Sequence, residues 1–183
     1  MEDNMIIKDV LIEEHQRIKQ VIDELKLEIQ NQQRSNIPNT GILLMSIDFL
    51  QTYAHKTHQV KEENMLFASL QNKTVSEIHK NTIKTLTQQH RQLRFLVNEI
   101  QELTDTYRKG DENILQQLTN TLQKLTLEYT NHFKKENEQF FSAIINEYLT
   151  KEERQQLLEE FNDFDRTRIH EKYDQVIDQI KKM

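Results

Sequence analysis

Apolar residues recur along this chain at alternating spacings of four and three positions, the pattern of one buried face on an α-helix. The first such stretch contains Leu11, Ile18, Ile22 and Leu25, with His15 in the same stripe. Four further stretches follow, so the sequence predicts five helices. The second, third and fourth stripes also contain a histidine, and the second and fourth contain a glutamate one turn after it. Polar residues thus occupy positions that the periodicity assigns to the core.

Turn and capping residues mark the boundaries of these predicted helices. Residues 35–41 contain both a proline and a glycine, which separate the first helix from the second. Thr74 with Glu77, and Thr150 with Glu153, match the spacing of a capping box. These two pairs predict the beginnings of the third and fifth helices.

Composition agrees with a helical protein. The chain of 183 residues contains only two glycines and one proline, too few to supply the turns of an all-β protein. The predicted loops between the second and third helices and between the third and fourth are short, which indicates that these neighbours are antiparallel. The sequence therefore predicts an all-α fold, an up-and-down four-helix bundle over residues 8–148. An additional C-terminal fifth helix is predicted over 150–182, and residues 1–183 are expected to form a single domain.

Charge and residue usage exclude several classes of function. The net charge of −6 and the pI of about 5.7 argue against a nucleic-acid partner, because nucleic-acid-binding proteins usually have a basic surface. The chain has no cysteine, so disulfides, thiolate chemistry and iron–sulfur ligation are excluded. No membrane-spanning apolar run or signal peptide is recognisable. We expect a cytoplasmic protein with no membrane partner, either a monomer or a homodimer.

The first two helices are repeated as the third and fourth. The histidine of the first stripe recurs 75 positions later, and the His-x-x-x-Glu segment of the second stripe recurs 74 positions later. The repeated positions are His15 and His90, His58 and His132, and Glu62 and Glu136. In a four-helix bundle this repeat predicts an approximately two-fold symmetric site.

These six residues predict a metal site. Residues four positions apart lie over the same helix face, and burying two carboxylates and four imidazoles without compensation costs several kcal/mol per charge. Two metal ions remove that cost, with each histidine bound to one ion and both glutamates bridging. Nitrogen and oxygen donors without sulfur favour iron first, then manganese or zinc. Four ligands and an oxo or hydroxo bridge leave a position open on each ion, which favours oxygen or peroxide chemistry.

Other polar residues lie near the predicted site. His55 precedes His58 by one turn, and Tyr129 occupies the equivalent position in the repeat. Both are expected either to contact a ligand or to pack in the core. His170 in the fifth helix is a candidate extra ligand, or a residue that caps the bundle. Glu63 is expected to be solvated, because its side chain points about 100° away from that of Glu62.

The motifs resemble those of the hemerythrin-like family, the HHE cation-binding domains, over roughly residues 8–148. The matching segments are Glu13-Glu14-His15, His58-x-x-Lys61-Glu62-Glu63 with Leu66-Phe67, His90-Arg91, His132-x-x-x-Glu136 and the C-terminal His170-Glu171-Lys172-Tyr173. The resemblance implies an up-and-down four-helix bundle that encloses a non-haem di-iron centre.

The ligand pattern separates this chain from two related kinds of di-iron protein. Oxygen-carrying hemerythrins have a second histidine four positions from the one on the third helix, where this chain has Leu86 and Arg94 around His90. Ferritin-like bundles use glutamate three positions before histidine, and none of the seven histidines here has one. The chain is similar instead to four-histidine, two-glutamate members, which the family links to nitric oxide, peroxide and iron–sulfur cluster repair.

We therefore expect a non-haem di-iron protein that binds or reduces a small ligand, namely O₂, peroxide or NO. An enzyme would decompose peroxide or NO over many turnovers. A carrier, sensor or iron buffer would form a stable adduct without turnover. A repair-type di-iron protein and a purely structural role for the metal complete the hypotheses.

Overall fold

The computed structural model describes residues 7–163 and 166–183, except for the side chains of residue 139 and residues 166–171. Every regular element in this part of the chain is helical, as the sequence predicts. The elements are α1 (Ile7–Ser35), α2 (Thr40–Phe49), two π-helical segments (Leu50–His58 and Lys61–Phe67), α3 (Glu77–Arg108), a 3₁₀ turn (Glu112–Ile114), α4 (Leu115–Lys135), a third π-helical segment (Glu136–Phe140), α5 (Phe141–Tyr148), α6 (Lys151–Asp163) and α7 (Arg166–Lys182). None of these described helices is long and apolar enough to cross a membrane.

Side chains at the helix starts match one of the two predicted capping boxes. Glu153 accepts a hydrogen bond from the Thr150 N–H at 2.7 Å, and Thr150 Oγ1 accepts one from the Glu153 N–H at 3.2 Å. The capping box predicted at Thr74 is wrong. Ser76 precedes α3 instead, and its hydroxyl oxygen accepts a hydrogen bond from the His79 N–H at 3.3 Å. Ser76 lies directly before the first helical residue, where a side-chain oxygen reaches the free amides of the first turn.

The first four α-helices pack around one another. α1 contacts α2 and α4, and α3 contacts the same two helices. The C-terminal region, predicted as one helix over 150–182, is described as the two helices α6 and α7, with residues 164–165 outside the described part. Both lie against α1, and the Tyr173 ring of α7 packs 5.3 Å from that of Phe49 and 5.4 Å from that of Tyr53. This aromatic contact packs α7 against α2 and the π-helical segment that follows it.

The apolar side chains form two separate clusters. On α1, Leu11 belongs to one cluster and Ile18 to the other, and both are fully buried. His15 lies between them in the sequence, and α3 repeats the arrangement around His90. A layer of polar side chains thus separates two apolar regions of the core.

Candidate metal centre

All six predicted ligands lie together in this polar layer. Their side chains form two groups in which one candidate ligand atom from each residue lies within 4.8 Å of the others. The first group is His15, His58, Glu62 and Glu136, and the second is His90, His132, Glu62 and Glu136. Every member is buried. Each group contains two imidazoles from neighbouring helices, and the two groups share both carboxylates.

Within each group the histidines face each other through their Nε2 atoms. The Nε2 atoms of His15 and His58 are 2.9 Å apart, and those of His90 and His132 are 3.0 Å apart. Two nitrogen ligands at right angles, each about 2.1 Å from one metal ion, are about 3.0 Å apart. Two unprotonated nitrogens at this separation need a proton or a cation between them. The imidazole positions therefore fit a metal ion in each group.

The two glutamates connect the groups. Glu62 places Oε1 3.2 Å from His58 Nε2 and Oε2 3.1 Å from His90 Nε2. Glu136 Oε2 is 3.3 Å from His15 Nε2 and 3.2 Å from His132 Nε2.

The carboxylate oxygens supply the strongest test of fit. All four are buried, and none accepts a hydrogen bond from any residue that the structure describes. Buried carboxylates are normally paired, hydrogen-bonded or bound to metal. Orphaned oxygens that span two imidazole pairs are what bridging ligands require, so the donor set fits two cations.

The electrostatics of the metal-free cluster follow from this crowding. Burial opposes protonation of His15, but Glu136 and Glu62 outweigh it and raise its pKa to about 10. The pKa of His90 rises to about 9, because Glu62 and Glu63 likewise outweigh burial. Burial and the charge of Glu62 raise the pKa of Glu136. Protons on the imidazoles therefore balance the carboxylates until a cation replaces them.

The backbone around the two candidate carboxylate ligands is π-helical. Glu62 lies in the segment Lys61–Phe67, and Glu136 begins the segment Glu136–Phe140. His58 ends the remaining π-helical segment. π-helical turns are rare and occur often at functional sites. Periodicity does not predict them, because the apolar stripe continues through all three segments.

A ring of hydrogen bonds from Nδ1 orients the four histidines. Each partner oxygen belongs to a residue adjacent in sequence to a candidate ligand on another helix. The pairs are Glu14 with His58 at 2.9 Å, Glu63 with His90 at 2.7 Å, Gln89 with His132 at 3.2 Å and Asn137 with His15 at 2.8 Å. Because carboxylate and amide oxygens only accept hydrogen bonds, Nδ1 carries a proton and Nε2 faces the centre of the bundle.

Three of the charged residues around this ring differ from the sequence-based expectation or were missed. Glu63, which the sequence assigned to solvent, is only partly exposed, and its carboxylate contacts both His90 and Arg94. Glu14 and Lys61 are fully buried, and they form an ion pair beside His58. The signal available was their position, since each directly precedes a predicted ligand.

The remaining predicted residues lie outside the two groups or outside the described part. His55 Nε2 and the Tyr129 hydroxyl are hydrogen-bonded to each other at 3.2 Å in the core. Burial, followed by the charges of Arg94 and His90, lowers the pKa of His55 to about 3, so its imidazole is neutral. The side chain of His170 lies outside the described residues.

Comparison with known proteins gives the family. No curated protein and no solved structure matches this chain significantly. The family model for the hemerythrin HHE cation binding domain matches residues 7–144, well over half of the chain, and this range contains all six residues of the two groups. The chain therefore belongs to the hemerythrin HHE cation-binding family.

Proposed function

We propose that this chain is a non-haem di-iron protein that binds or reduces O₂, peroxide or NO. The observation that supports it best is that two pairs of buried histidines share two buried carboxylates. His15 and His58 would hold one ion, His90 and His132 would hold the other, and Glu62 and Glu136, which belong to both groups, would help to hold both. Imidazole nitrogens and carboxylate oxygens, with no cysteine in the chain, are donors that suit iron, and manganese and zinc are the alternatives.

The protein contributes positioning and exclusion of water. The Nδ1 hydrogen bonds hold each imidazole with Nε2 directed at the centre. The ring of Phe133 stacks on His15 at 4.1 Å, and that of Phe141 lies 5.7 Å away on the cluster that contains Leu11. These apolar contacts keep solvent from the ligand atoms. When bound, a pair of iron ions would supply electrons and open coordination positions for a small ligand.

Metal content and a visible spectrum test this proposal. We expect about two irons per chain by elemental mass spectrometry, and an absorption band that changes when azide or peroxide is added. Repeated decomposition of peroxide or NO would identify an enzyme, whereas a stable adduct would identify a carrier or sensor. Glu136→Gln should lower the iron content, whereas Glu138→Gln, a change at a nearby exposed residue, should not. Substoichiometric metal after anaerobic reconstitution with iron would refute the proposal.

A further inference from the structure

The ring of hydrogen bonds around the candidate ligands is not two-fold symmetric. In the sequence repeat, Glu14 corresponds to Gln89 and Lys61 corresponds to Lys135. The first pair is fully buried and ion-paired, whereas Gln89 is half-buried and Lys135 is exposed. His58 therefore donates its Nδ1 hydrogen bond to a carboxylate that is paired with Lys61, and His132 donates its own to a neutral amide.

The surroundings of Glu14 differ from those of the other supporting carboxylate. Glu14 has no exposed surface, and its cation partner Lys61 lies under the ring of Phe161, with Nζ 5.6 Å from the ring centroid. Helix α6 thus covers the ion pair. The Glu63 side chain is 24% exposed and its partner Arg94 is 34% exposed, so water screens the charge that supports His90.

A buried carboxylate strengthens a metal-binding histidine in two ways. It fixes the orientation and the tautomer of the ring, and it makes Nε2 a more basic ligand for the metal. Lys61 supplies the positive charge that a buried carboxylate needs, so Glu14 is paired inside the core. Lys61 Nζ donates to Oε1 of Glu14, while Oε2 accepts the hydrogen bond from His58.

We propose that the buried Glu14/Lys61 pair is a positioning device that makes the His15/His58 half of the site bind metal more tightly than the His90/His132 half. The two halves then fill in order, although their direct ligands are equivalent by the repeat. This inference rests on the proposed metal-binding function, and it assigns a role to α6, which covers the pair.

The test is an anaerobic titration of the metal-free full chain with Co²⁺, followed by visible absorption and competition with a chelator. Wild type should bind two ions in two resolved steps. Glu14→Gln should weaken the tighter step by about 10–100-fold, the usual effect of losing a hydrogen-bond partner of a metal-binding histidine. Glu63→Gln should weaken the other step instead. A loss confined to one step is not expected from general destabilisation.

Matched variants separate positioning from folding. Lys61→Met alone removes the positive charge that Lys61 places beside the buried Glu14 carboxylate, so the double variant Glu14→Gln/Lys61→Met is the safer way to remove both charges. It should keep the helical circular dichroism of wild type and weaken the tighter step by the same factor of about 10–100. Glu13→Gln and Lys135→Met, at an exposed neighbour and at the repeat equivalent, should bind as wild type does.

The outcomes distinguish this inference from the function on which it rests. Two ions bound by wild type with unchanged affinities in Glu14→Gln would overturn the positioning role alone. Two indistinguishable steps in wild type would also overturn it. A wild type that takes up no metal would overturn the proposed function, and this inference with it.

Discussion

Removal of the proposed metal ions should lower the melting temperature by about 10 °C. Without a cation, the four carboxylate oxygens of Glu62 and Glu136 are buried and accept no hydrogen bond from the described residues. Each such oxygen costs at least about 1 kcal/mol, which gives roughly 4 kcal/mol for the four. We use the lower limit because imidazole protons offset part of the charge. In a chain of this size 1 kcal/mol shifts the melting temperature by about 2–4 °C.

Differential scanning calorimetry of the metal-loaded chain, the chelated chain and the reloaded chain measures this effect. Elemental analysis must show that the chelator has removed the metal, and reloading must restore the original transition. Glu136→Leu removes two of the four oxygens together with one ligand, so its melting temperature should depend much less on chelator. A change of less than about 2 °C in fully stripped wild type would show that the orphaned oxygens do not destabilise the metal-free fold.

Three further predictions follow from the titratable groups and the capping box. Metal must displace protons from His15 and His90, because the nearby carboxylates raise their pKa values to about 10 and 9 against the effect of burial. Metal loading at pH 7 should therefore release protons. The affinity for metal should decrease as the pH is lowered. Calorimetry in buffers of different ionisation enthalpy checks this, and pH-independent affinity between pH 6 and 9 would contradict it. His55 is neutral in the fold, with a pKa of about 3 instead of 6.5, mainly because of burial. When the pH is lowered from 6.5 to 5, the free energy of unfolding of wild type, measured with urea, should therefore decrease by about 2 kcal/mol more than that of His55→Gln. Parallel pH profiles for the two proteins would argue against this. Thr150→Ala should reduce stability by about 1 kcal/mol through loss of the capping box without changing metal content, so an altered metal content would mean that α6 affects the site more directly.

The candidate ligands were predictable because they break a strong pattern. Histidines and glutamates at core positions of apolar stripes stand out, and the repeat at offsets of 74 and 75 shows that they belong together. The helical class followed from the same periodicity. The structure places all six in two shared groups, as their spacing on the helices suggested.

The supporting residues were not predictable from periodicity alone. Glu14 and Lys61 are each one position from a ligand, and a step of about 100° around a helix usually leads toward the surface. Here α6 covers that side and buries both, with Phe161 over the lysine. Glu63 was assigned to solvent for the same reason, but α3 brings His90 against it. The π-helical backbone changes hydrogen bonds without changing the apolar pattern, so the sequence does not reveal it.

The ring of Nδ1 contacts also changes what must be copied to rebuild this centre in another bundle. Each supporting oxygen comes from the residue next to a ligand, as in the dipeptides Glu14-His15, Glu62-Glu63, Gln89-His90 and Glu136-Asn137. The transferable unit is therefore a dipeptide on each helix. One of its residues is a candidate ligand, and the other accepts the Nδ1 hydrogen bond of a histidine on another helix. A design that grafts the six ligands and leaves their neighbours free would have the donors but not their orientation.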